Sequence, residues 1–182
     1  MRTIRLLVLT AILAIGLILP PSSGWTFPSG KKPPQEETQK KGKEATIEFN
    51  KGVDLQKLAD SLSRTKDSAK AGSQYKKAAA EYEKAIKLNG AFAEVLSNLG
   101  YCRRHLGDFK KSLEAYDRAL SLKPDFAQAL EYRGMAYVLM GRLDDAKADY
   151  EQLKSIDAQM ATELGAQIDA AEKGTKPPNS NW

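Results

Sequence analysis

The sequence predicts an all-α chain: a short α-solenoid of about three helix-turn-helix repeats, closed by a C-terminal cap helix. Two observations predict it. The segment Ala93–Phe126 aligns with Ala127–Met160 at a period of 34, with apolar or small residues recurring at helical spacing in both copies. Prolines crowd the two ends, at 20, 21, 28, 33, 34, 177 and 178, and only Pro124 interrupts the middle, so the centre reads as almost uninterrupted helix.

The chain opens with Arg2 and Arg5 followed by the apolar run Leu6–Leu19, LLVLTAILAIGLIL. A charged start and a short apolar core are the plan of an export signal. Its fourteen residues span roughly 21 Å as helix, short of a ~30 Å hydrocarbon core. Pro20 and Pro21 end the run, and Ser22 and Gly24 are small residues at the spacing a signal peptidase accepts. Residues 1–24 are therefore read as a signal peptide cleaved after Gly24, the alternative being an uncleaved membrane tether through residues 6–19. No cysteine follows the run, which excludes lipidation there, and no Asn-x-Ser/Thr sequon occurs. The expected location is a bacterial periplasm, or the inner membrane facing it.

Residues 25–44, with the stretch SGKKPPQEETQKKGK, have too little apolar surface to offset ordering entropy and are expected to be a flexible tether. Residues 175–182 read the same way, as a disordered tail.

The repeat domain is expected over 45–174, with repeats at about 45–92, 93–126 and 127–160 and a cap over 161–174. Across the two clear copies Leu96 meets Leu130, Gly100 meets Gly134, Cys102 meets Ala136, Tyr116 meets Tyr150 and Leu122 meets Ile156. Gly100 and Gly134, in mid-helix, cost about 1 kcal/mol each in propensity, tolerable where a second helix must approach closely. Small Ser112, Ala146 and Ala119 serve the same crossing from the other side. Gly107 and Gly141 suit the left-handed turn that ends a first helix, and Pro124 stops a second helix and opens the next turn.

In the leading repeat the second helix is clear from Tyr75, Ala78, Ala79, Tyr82, Ala85, Ile86 and Leu88. Its first helix admits two registers. A strict period puts Lys66 where glycine belongs. Alternatively a longer helix opens near Asn50-Lys51-Gly52, and about fourteen extra residues, close to four turns, carry the buried face through Leu55, Leu58 and Leu62. After Ala158, Leu164, Ile168 and Ala171 at helical spacing predict the solvating cap helix.

The residues L-x-x-L-G-x-C…L-G-D-F…S-L-x-x-Y-x-x-A-L-x-L-x-P of Ala93–Phe126 resemble the tetratricopeptide repeat. The next copy follows, except that Arg133 replaces the usual leucine before its glycine and Ala158 replaces the proline. The resemblance implies a right-handed solenoid and a protein or peptide ligand in the groove of first helices. Transferred groove positions are Glu94, Ser97, Asn98, Tyr101, Arg104 and His105, then Gln128, Glu131, Tyr132, Met135, Val138 and Leu139. The basic clamp that some members use for chaperone tails is not reproduced, since Glu94, Gln128 and Tyr132 stand in its places, so chaperone-tail recognition is not expected.

Charge and chemistry narrow the rest. Residues 51–87 carry nine Lys/Arg against five Asp/Glu, and residues 125–182 carry six against ten. This polarity can steer a partner, while the lack of a recognition motif in the basic half argues against nucleic acid. One cysteine excludes an intramolecular disulfide, and with a single histidine it leaves little for a Cys/His metal site. Cys102 falls at a small core position. His105 has no nucleophile or carboxylate placed in sequence to make a catalytic set, and Asp144-Asp145 suits a helix start. No phosphate loop or paired-carboxylate motif occurs. No cofactor and no enzymatic activity are expected. The sequence points to an exported scaffold or adaptor; alternatives are a membrane-tethered assembly factor joining subunits of a larger complex, and an enzyme with an unrecognised site.

Overall fold

The computed structural model describes residues 34–65, 67–89 and 92–175. The expected signal or tether of residues 1–24, the tether residues 25–33 and the tail 176–182 lie outside the described residues. Among those described there are seven helices and no strand: α1 Pro34–Arg64, α2 Ser68–Asn89, α3 Ala93–His105, α4 Phe109–Leu122, α5 Ala127–Leu139, α6 Leu143–Lys154 and α7 Ala158–Glu172. Each helix packs on the next. Odd-numbered helices also touch one another (α1 on α3, α3 on α5, α5 on α7), whereas α2, α4 and α6 make no such contacts. The odd helices thus form the inner side of the stack and the even ones its outer side.

Residues 34–44, expected as tether, are helical. Pro34 sits at the first position, where a proline costs nothing, Glu36 and Glu37 face the positive end of the dipole, and Glu37–Lys41 and Lys40–Glu44 pair one turn apart. The side chains of residues 35–41 stay exposed, and the buried face of α1 begins at Ala45, 2% exposed.

Helix ends follow local chemistry. Asp108 caps α4 by accepting from the Lys111 amide at 3.4 Å, and Asp157 caps α7 by accepting from the amides of Gln159 (3.1 Å) and Met160 (3.0 Å). At the position equivalent to Asp108 stands Arg142, which caps nothing, and Asp144 and Asp145 in the first turn of α6 complement the dipole instead. Gly107 (φ 77°) and Gly141 (φ 72°) make the left-handed turns that end α3 and α5.

The core alternates large and small side chains. Leu96, Leu130 and Leu164 repeat at the 34-residue period and are all fully buried, among Ala119, Ala129 and Ala146. Cys102 is buried with them and burial pushes its thiol far up, which suits packing rather than reactivity. The close crossing expected at Gly100 is present: a Cβ there would lie 2.6 Å from Tyr116 Cε1, and Ser112 Oγ donates to the Gly100 carbonyl at 2.8 Å.

The leading repeat takes the longer register. Gly52, buried in α1, receives the ring of Tyr82 as Gly100 receives that of Tyr116, with a notional Cβ 2.5 Å from Tyr82 Cε1. Both arms are extended, so α1 and α2 project beyond the α3–α4 turn as a longer hairpin.

The third repeat departs from the second. Asp149 points inward, 2% exposed, and Arg133 grips it with two bonds, Nη2 to Oδ1 at 2.6 Å and Nε to Oδ2 at 3.0 Å. Tyr150, equated in sequence with Tyr116, does not cover its own glycine. With Asp149 turned in, Tyr150 lies half-buried against Gly165 of α7, and Leu164 of α7 fills the space over Gly134. The cap helix is therefore wedged into the last repeat.

Candidate functional site

The twelve expected groove residues lie on α3 and α5, on the inner side, but they do not form one open surface. Glu94 is exposed in the first turn of α3 and Asn98 is half-buried. Ser97, Arg104 and Val138 are buried, at 0%, 6% and 8% exposure. These three are corrected to supporting positions: their side chains turn into the helix contacts.

Tyr101, Arg104, His105 and Tyr132 come together in a stack that the hairpin α1–α2 closes. His105 stacks on Tyr75 with ring centroids 4.5 Å apart and an angle of 19°, and lies 4.4 Å from Tyr101. Tyr101 in turn meets Tyr132 at 4.9 Å, and the Arg104 guanidinium sits over both rings, 5.2 and 5.9 Å from their centroids. Asp60 of α1 ties the cluster down, its Oδ1 accepting from the Tyr75 hydroxyl at 2.6 Å and the Tyr101 hydroxyl at 2.9 Å. Burial pushes the Tyr75 and Tyr101 phenols far up, so both remain donors. Burial, and then the Arg104 charge, lower the His105 imidazole to about 3, so it is neutral and acts here as a flat aromatic. Asp60 had no signal as a site residue in the sequence, because it comes from the inserted part of the leading repeat, whereas Tyr75 was legible only as part of the second helix's apolar pattern.

The inner side remains open on α3 at Glu94 and Asn98, and along α5. Gln128, Glu131, Tyr132, Met135 and Leu139 are all half-buried there. Gln128 Nε2 donates to the Tyr132 hydroxyl at 3.2 Å. Burial, reinforced by the charge of Glu163 on α7 and opposed by Arg104, raises the Glu131 carboxyl to about 7. Leu139 borders a small cavity of about 200 Å³ with Arg104, His105, Gly107 and Phe109. This strip offers adaptable apolar contact from Met135 and Leu139, with polar groups that fix a ligand's direction. Among the described residues there is no group of three or more His, Cys, Asp or Glu placed to hold a metal, and no helix long and apolar enough to cross a membrane.

Family models described as tetratricopeptide repeat match residues 93–126 and 127–160. No curated protein sequence matches the chain. Among solved structures it is similar to the Arabidopsis OM64 TPR domain, at 22% identity over 67% of this chain and 97% of that one, with a TM-score of 0.52. It is also similar to the second TPR domain of human RPAP3 in complex with the HSP70 peptide SGPTIEEVD, at 18% identity, 69% and 98% coverage and a TM-score of 0.53. A third is the first TPR of Spaghetti (RPAP3) bound to the HSP90 peptide SRMEEVD, at 20% identity, 68% and 94% coverage and a TM-score of 0.52. At these identities the likeness is one of fold.

Proposed function

Since the chain belongs to the tetratricopeptide-repeat proteins, which work as protein-interaction scaffolds, we propose that it is an exported adaptor holding a peptide or helical segment of an envelope protein against the inner side of the repeats. The observation that carries this reading is the inner-side strip of α5, where Gln128, Glu131, Tyr132, Met135 and Leu139 stay half-exposed, continued on α3 by exposed Glu94 and half-buried Asn98. Export is supported by the charged start and apolar run of residues 2–19. Members of this family are typically non-enzymatic, and no catalytic step is assigned to the chain.

The ligand differs in chemistry from the chaperone peptides in the RPAP3 structures, both of which end in Glu-Glu-Val-Asp. Glu94 and Glu131 face the ligand with like charge above neutral pH, and Gln128 and Tyr132 are bonded to each other rather than presented as a basic clamp. A neutral or basic segment fits this strip better than an acidic tail.

The reading is tested by placing a photo-crosslinking residue at Asn98 or Gln128, with Lys110 on the exposed face of α4 as control, and crosslinking in cells. The two inner positions are expected to capture the same envelope partner, and Lys110 is not. Capture of the same partner from Lys110 with equal yield sinks the assignment to the inner side.

A further inference from the structure

Away from the inner strip, α6 and α7 enclose a second groove of about 680 Å³, lined in part by Tyr150 and Glu151 and by Thr162, Gly165, Ala166 and Asp169. Thr162 and Ala166, both exposed, keep its α7 wall low, so another helix can come close. The charged lining is acidic on balance, Glu151, Asp169 and Glu172 against Lys147. Helix α6 carries four acids and two lysines, and α7 carries three acids and no base. Arg133 and Arg142 neutralise Asp149 and Asp145, and Lys147 and Lys154 pair with Glu172 and Glu151. Asp169, at the groove, has no ion pair among the described residues.

The outward face of α2 is its opposite. The helix carries five lysines and two glutamates; Lys70 pairs with Asp67 and Lys84 with Glu81, while Arg103 takes Glu83. That leaves Lys76, Lys77 and Lys87 without an ion pair among the described residues. All three are exposed, spaced with exposed Ala80 along one side of the helix. Helix α2 touches neither α6 nor α7 of its own chain, so among the described residues neither face covers the other.

We propose that the α6–α7 groove receives the lysine face of α2 from a second copy of this chain, joining copies head to tail. The two patches are different surfaces of one molecule, so the contact is heterologous and propagates beyond a dimer unless the rotation closes a ring. Ala80 opposite Ala166 allows the helices to approach, and the lysines meet Asp169 and Glu151. A contact led by exposed charge is steered and selected by electrostatics, and weakens with salt.

The test uses the full chain in neutral detergent, which keeps residues 6–19 from driving association. In Ala80→Cys/Ala166→Cys, which keeps the charges of both faces, mild oxidation is expected to give a ladder of disulfide-linked multimers, with Cys102 buried and silent. Pairing Ala80→Cys with Lys110→Cys is the control, expected to yield at least about fivefold less, and ~0.5 M salt should suppress the ladder. Adding Lys76→Glu to the double-cysteine chain should remove the ladder, and further adding Glu151→Lys should restore it. Absence of the disulfide between positions 80 and 166 in folded protein overturns the proposal, as does a ladder indifferent to Lys76→Glu. So does a photo-crosslinker at residue 166 that captures only other proteins.

Discussion

Gly52 and Tyr82 are in contact across the leading hairpin: the Tyr82 ring lies flat on the α1 backbone, where a Cβ at residue 52 would stand 2.5 Å from Cε1 and 2.7 Å from Cδ1. The same pairing recurs between Gly100 and Tyr116, at 2.6 and 2.8 Å. The first pair is separated by thirty residues in sequence and the second by sixteen. The difference of fourteen is shared between the two arms, since α1 runs twelve residues past its glycine where α3 runs five, and α2 runs fourteen before its tyrosine where α4 runs seven. Seven residues are close to two turns, so each arm gains length without rotating its buried face.

Gly52→Ala is expected to destabilise the protein by about 1–3 kcal/mol, because the fully buried Tyr82 ring cannot move aside and overpacking outweighs the gain in helix propensity. Gly72→Ala, in α2 with nothing within 4 Å of the added methyl, should instead stabilise by roughly 0.5–1 kcal/mol. Urea unfolding of the two variants checks both signs. Stabilisation by Gly52→Ala would refute the packing argument.

Much of this fold was legible in residues 93–160, where Leu96 and Leu130, Gly100 and Gly134, and Gly107 and Gly141 repeat at one fixed period. The leading repeat was half legible, because an insertion of whole turns preserves the apolar pattern and leaves two registers open. Helix 34–44 was missed: its support is the helix dipole and ion pairing rather than burial, and its composition looks like a tether. The site was less legible than the fold. Transferred positions assume equal arms, and the longer hairpin brings Asp60 and Tyr75 onto Tyr101 and His105. Asp60 lies forty-one residues from Tyr101, and no local pattern announces such a contact.

Asp60 accepts two phenolic hydroxyls from different repeats, so Asp60→Ala is expected to strand both beneath the hairpin. The cost should be about 2–4 kcal/mol, from two lost charge-assisted bonds and partly buried donors left unmatched. Tyr75→Phe removes one bond without opening space and should cost about 1 kcal/mol. Amide hydrogen exchange should show the added opening in 58–75 and in the last turn of α3. Protection unchanged there in Asp60→Ala would mean the hairpin is held by packing alone.

Arg133 and Asp149 form a buried pair where the preceding repeat has Leu99 and Ala115, one period earlier. Arg133→Leu alone leaves the Asp149 carboxylate buried without its partner and is expected to cost about 3–5 kcal/mol. The double variant Arg133→Leu/Asp149→Ala reproduces the preceding repeat and should recover most of that loss, to within about 1 kcal/mol of wild type. The second contact of Arg133, to Asp117 at 2.7 Å, reaches a carboxylate 56% exposed, so Asp117→Ala should change stability by less than about 1 kcal/mol. Denaturation of Arg133→Leu, Asp149→Ala and the double variant checks the cycle, with Asp117→Ala measured beside it; strictly additive losses from the two singles would show that the pair does not act as a unit.

Glu131 and His105 should give opposite dependences of stability on pH. Burial first, and the charge of Glu163 second, raise the Glu131 carboxyl from 4.5 to about 7. As pH climbs through that interval the unfolded chain releases a proton that the folded chain keeps, so this contribution is full at low pH and is lost on the way to neutrality. Burial and Arg104 lower His105 from 6.5 to about 3. As pH falls through that interval the unfolded imidazole gains a proton the folded one refuses, so this contribution is full near neutrality and is lost toward acid. Glu131→Gln should therefore gain stability relative to wild type at about pH 7.5, by up to about 3 kcal/mol, with little relative change near pH 4. His105→Phe, which keeps a ring between Tyr75 and Tyr101, should flatten the loss of stability below about pH 6. Urea midpoints measured from about pH 4 to 8 decide it. A Glu131→Gln curve parallel to wild type would show that the carboxylate is already ionised at neutrality, and that the α5 strip meets its ligand with full charge.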